Sequence, residues 1–128
     1  MNNDENWLVT VKAAFDEKGA GGGDFYYLLN TMLNEGKMAF PQLVLDASGG
    51  IGCNVHEGLS YSLDQDWDDS DFFGEVVFFV GEMESSKLSV GEYIHLIKVA
   101  SDAYCSHFPI DSEAVARNVA RLISRYQK

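Results

Sequence analysis

Cys53 and His56 stand three residues apart in the Gly-rich stretch SGGIGCNVHEG. A thiolate with an imidazole base is the least that nucleophilic catalysis requires. Neither a third residue to orient the base nor an oxyanion device can be assigned beside the pair. His56-Glu57 opens like a zinc-protease helix, but Ser60 occupies the position of the second histidine. Cys105 and His107 fall at the end of a helical stretch and read as packing and capping residues. No other set of His and Cys has the spacing of a zinc site. Residues 19–24, GAGGGD, place Asp24 where a dinucleotide fingerprint needs its third glycine, and they follow a helix instead of a strand. They read as a flexible connection. These failures predict a chain that is not an enzyme and holds no cofactor or metal.

The acids are the more informative set. Asp64, Asp66, Asp68, Asp69, Asp71 and Glu75 crowd twelve positions, with Trp67 among them. Counted from Asp64, the acids Asp66, Asp68 and Glu75 and the hydroxyl of Ser70 fall on ligand positions of a calcium loop. Asp69 stands where that loop needs glycine, and the flanks read as strands. The remaining alternative in this class is a weaker hard-cation site, which would make the chain a divalent-cation-binding regulatory domain. The other reading is a surface for a basic protein. Trp67 is then either an anchor pinning the segment or an aromatic contact that dominates binding.

The wider charge pattern bears on the same choice. Nine basic and twenty acidic side chains give a net charge of −11. Residues 38–86 contain ten acids and no Lys or Arg, whereas residues 87–128 carry four acids and six bases. Such a charge repels phosphate backbones and anionic lipid, so neither nucleic acid nor membrane is expected as a partner. No apolar run is long enough to span a bilayer, and the N-terminus lacks the pattern of a secretory signal. Two cysteines are too few for a disulfide framework and fit a reduced, cytoplasmic protein.

Elements that must position these residues follow from periodicity. Trp7, Leu8, Val11, Ala14 and Phe15 share one helical face, as do Phe25, Leu28, Leu29, Met32 and Leu33, with Asp24 as a cap. Phe40–Leu45 is a short apolar run that reads as a strand beginning near Pro41. Leu59, Tyr61 and Leu63 alternate with serines, Val76–Val80 reads as a central strand covered on both faces, and Met83–Leu88 as an edge strand. Ser89 and Glu92 form a capping box, with Leu88 and Tyr93 as its staple. Asp111 is expected to cap the last helix, with Ile110 and Val115 as a second staple. Val115, Val119, Leu122 and Tyr126 face inward, and Arg117, Arg121 and Arg125 lie opposite. Residues 1–128 thus form one α+β domain: an N-terminal helix pair, a mainly antiparallel sheet of three to five strands and a C-terminal helix pair.

Residues 91–123, GEYIHLIKVASDAYCSHFPIDSEAVARNVARLI, resemble the end of bacterial immunity proteins against contact-dependent growth-inhibition toxins of the ribonuclease type. The likeness rests on Glu92-Tyr93-Ile94, on Ala100 to Tyr104, and on the break His107-Phe108-Pro109-Ile110-Asp111 before the last helix. It covers about a quarter of the chain. It implies a cytoplasmic, non-catalytic inhibitor that binds a toxin nuclease domain. Such families keep a scaffold and vary the contact surface, so the shared segment carries no binding residues. The acids are compatible with this independently, since a small acidic protein can occupy the basic cleft with which a nuclease holds phosphates. The expected contact set is Asp64, Asp66, Trp67, Asp68, Asp69, Asp71 and Glu75.

Overall fold

Apolar residues at helical spacing near both ends, with alternating strands between them, require helices to cover one face of a sheet. The computed structural model describes residues 3–18, 23–36, 39–56, 58–64, 75–81 and 83–126. Helix α1 spans Asn3–Lys18, α2 Gly23–Asn34 and α3 Phe40–Ser48. Strands β1 (Cys53–His56), β2 (Leu59–Ser62), β3 (Glu75–Val80) and β4 (Met83–Ser89) follow. Helix α4 runs over Val90–His107 and, after a 3-10 turn at Pro109–Asp111, α5 over Ser112–Tyr126. The architecture is α+β, and the four strands form one antiparallel meander in the order β1-β2-β3-β4.

Phe40–Leu45 is helical, where the apolar run reads as a strand. The buried residues of α3 are Phe40, Leu43, Val44 and Ala47, a spacing of three, four and seven that only a helix aligns. Pro41 sits in the first turn, where its missing N–H costs nothing. The N-terminal part is therefore three helices and not a pair. A strand not expected from sequence, β1, lies in the Gly-rich stretch and pairs Cys53 with Tyr61 and Asn54 with Ser60. Both hairpin ends rely on glycine with positive φ, and the Gly81 amide donates to the Gly58 carbonyl at 2.6 Å, tying the two turns together.

Pleating sends Cys53, Leu59, Tyr61, Val76, Phe78 and Leu88 into the core shared with all five helices. On the outer face Val77 is buried but Phe79 is 38% exposed, so the double cover expected for β3 holds at one position and fails at the other. Trp7 joins three helices: its Nε1 donates to the Ala100 carbonyl at 3.1 Å, and its ring meets Phe40 at 4.9 Å and Tyr104 edge-on at 5.2 Å. Within the sheet–helix layer, the buried hydroxyls of Tyr61 and Tyr93 satisfy one another at 2.8 Å.

The capping box of α4 is complete: Glu92 N donates to Ser89 Oγ at 3.0 Å and Ser89 N to Glu92 Oε1 at 2.9 Å. The second staple does not form. Ile110 is 93% exposed while Val115 is buried, because the 3-10 turn separates them. Asp111 accepts instead from Tyr104 Oη at 2.8 Å. Asp24 lies inside the first turn of α2 and accepts from Ser86 Oγ on β4 at 2.6 Å.

Candidate interaction surface

The acidic segment begins just past the end of β2 and ends at the start of β3. Leu63 is fully buried, and Asp64 beside it turns inward. Arg125 Nη2 donates to Asp64 Oδ2 at 2.6 Å and Arg125 Nε to Oδ1 at 3.2 Å, while Tyr126 Oη also donates to Oδ1. The Asp64 side chain keeps 13% of its exposure. Beneath the pair lies Gly50, at φ +82°, where a Cβ would stand 2.6 Å from both Arg125 Nη2 and Asp64 Oδ1. The turn after α3, the end of β2 and the last turn of α5 thus meet at one ion pair. The hydrogen bonds of Asp64 raise the already high pKa of Arg125, and burial, followed by Asp64, pushes the Tyr126 phenol well up.

Both oxygens of Asp64, one of the expected contact acids, are thus engaged within the fold. The same contacts occupy what would be the first ligand of a cation loop. Among the described residues no group of three His, Cys, Asp or Glu could hold a metal ion. Glu75 is exposed at the start of β3, opposite Ser89. Asp66, Trp67, Asp68, Asp69 and Asp71 lie outside the described residues, so the fold fixes where this segment starts and ends.

The candidate nucleophile Cys53 is buried, and Cys105 is half-buried. Cys53 is 2% exposed, and burial, followed by the charge of Asp46, pushes its thiol up to about 11. A thiol held protonated in this way is inert at neutral pH. Burial likewise raises Cys105, whose Sγ lies 4.0 Å from the Ser112 carbonyl oxygen. His107 Nε2 is 3.0 Å from Thr10 Oγ1 and links α4 to α1. No described helix is long and apolar enough to cross a membrane.

Grooves that no sequence motif marks border α5, two of them beside buried polar side chains. One, of about 270 Å³, lies between α4 and α5 and is lined by Ser101, Cys105 and Val119 among others. The second, of about 340 Å³, lies between α3 and α5 and is walled by Gln42, Leu45, Arg117, Asn118 and Arg121. Each holds one buried side-chain oxygen with no hydrogen-bond partner, Ser101 Oγ and Asn118 Oδ1. The signal for the second was an asparagine on the same helical face as Val115 and Leu122, where an apolar residue would be usual.

No family model matches this chain, and neither a curated protein nor a solved structure matches it.

Proposed function

We propose that the protein is an immunity protein that binds and neutralises a cognate toxin nuclease domain through its acidic segment. The observation that carries this reading is the 49-residue stretch 38–86, with ten acids and no Lys or Arg, whose densest part runs from Asp64 to Glu75. The anchoring of Asp64 by Arg125 supports it, because a segment held firmly at its base is presented with less ordering cost on binding. Dense like charge destabilises a free protein and is relieved by a basic partner. The failure of each catalytic motif, and the likeness of residues 91–123 to immunity proteins, agree with an inhibitor acting in the cytoplasm.

The test is co-purification with the toxin domain encoded beside it, followed by surface plasmon resonance at two salt concentrations. Asp66→Asn, Asp68→Asn and Asp69→Asn together are expected to leave the fold intact and to weaken binding at least tenfold, about 1.4 kcal/mol, mainly through slower association. Trp67→Ala is expected to speed dissociation. Unchanged binding by the triple variant would move the contact surface elsewhere.

A further inference from the structure

We infer that the groove between α3 and α5 is a second recognition site, which takes an acidic peptide segment: a carboxylate side chain together with a backbone N–H. Arg117 and Arg121 are exposed one helical turn apart on α5 and both line the groove, and among the described residues neither is joined to an acid in an ion pair. Like charges at that spacing repel, so the free protein bears a cost that an anion would remove. This is a cationic site in a chain of net charge −11.

Between the two arginines Asn118 turns into the protein, 8% exposed, with Oδ1 unpartnered. Buried side-chain oxygens are almost always hydrogen-bonded, and Oδ1, buried behind the groove wall, meets a donor from the occupant when the side-chain amide turns outward. The site therefore asks for an anion and a donor at once. Two guanidiniums suit a planar carboxylate, which they can hold with paired hydrogen bonds. A simple carboxylate brings no N–H for Asn118. A peptide Asp or Glu brings both groups, and Leu45, 45% exposed on the facing wall, offers apolar contact to its methylenes. Charge complementarity thus selects an acidic segment of a partner protein. The inference stands on α3 and α5 alone and is independent of whether residues 64–75 contact a toxin.

The experiment is a titration of the ¹⁵N-labelled full chain, followed by two-dimensional NMR, with the blocked peptide acetyl-Ala-Glu-Glu-Leu-amide. Its Gln-Gln counterpart and inorganic phosphate serve as the other arms. Saturable shifts confined to residues 42–45 and 114–121 are expected, at least tenfold weaker with the Gln peptide and with phosphate. Arg117→Gln with Arg121→Gln should abolish them while leaving thermal stability unchanged or slightly raised, since both side chains are exposed and their repulsion is removed. Asn118→Ala should weaken peptide binding several-fold. Phosphate binding as tight as the peptide would overturn the peptide assignment. Absent or scattered shifts would overturn the site.

Discussion

Arg125 grips Asp64 from 61 positions further along the chain, with Nη2 2.6 Å from Oδ2 and Nε 3.2 Å from Oδ1. Removing either partner leaves buried polar atoms unsatisfied, at about 1–3 kcal/mol. Arg125 keeps 32% of its side-chain exposure, so water will replace part of what it loses when Asp64 is removed, whereas removing Arg125 strands a carboxylate that keeps only 13% and should fall in the upper half of that range. A double-mutant cycle of Asp64→Ala and Arg125→Ala in urea is expected to show coupling of about 1 kcal/mol. Strictly additive losses would mean that the pair contributes nothing beyond its separate contacts.

Gly50→Ala is expected to be among the costlier single-methyl additions in the chain. A left-handed conformation costs a residue with a Cβ roughly 1–2 kcal/mol. The methyl would also enter the space of the Arg125 guanidinium and the Asp64 carboxylate. The two causes can be separated by repeating the substitution in the Asp64→Ala, Arg125→Ala background. There only the backbone strain should remain, and chemical denaturation should show a smaller loss. An equal loss in both backgrounds would remove the steric part of the argument.

Much of this fold was legible because it is local. Trp7, Leu8, Val11 and Phe15 announce a helix by spacing, and Ser89 and Glu92 announce its start by capping. Phe40–Leu45 misled because five of its six residues are apolar, which hides the period until Ala47 is included. Strand β1 was hidden by flanking glycines that serve as its turns. The Asp64–Arg125 pair was out of reach for a different reason. Which of twenty acids meets which of nine bases is decided by tertiary folding and leaves no mark in spacing. The groove at Asn118 left a faint mark, a polar residue on an apolar face, whose meaning appears only once α3 is placed against α5.

The protein should lose stability in alkali. Burial raises Cys53 to about 11 from the ordinary 9.0, and burial foremost also raises Tyr61 and Tyr93. The folded state therefore keeps protons that the unfolded chain releases. The resulting stability is complete below pH 9 and is lost as pH rises through the folded-state values. The share of Cys53 between pH 9 and 11 is roughly 2–3 kcal/mol. Urea midpoints at pH 8, 9.5 and 10.5 should fall in that order, and Cys53→Ala should flatten the earlier part of the decline. Iodoacetamide at pH 8 should modify Cys105 before Cys53. Faster alkylation of Cys53 would reopen its reading as a nucleophile.

The C-terminal helix offers a contrast between neighbours of similar chemistry. Ile110 and Leu122 are both apolar, the first in the 3-10 turn before α5 and the second within α5. Spacing alone assigns Ile110 to a staple with Val115, yet the 3-10 turn leaves it 93% exposed, while Leu122 is fully buried. What holds this junction is polar: Tyr104 Oη donates to Asp111, and Ser112 Oγ donates to the Pro109 carbonyl at 2.8 Å. Ile110→Ser should therefore alter stability by no more than about 0.5 kcal/mol. Tyr104→Phe should cost about 1 kcal/mol through the lost hydrogen bond. Leu122→Asp places an unpaired carboxylate in the core and should unfold the domain. Thermal melts followed by circular dichroism decide the order. If Ile110→Ser were the more damaging of the first two, the staple would exist in solution and the entry to α5 would be held by apolar contact.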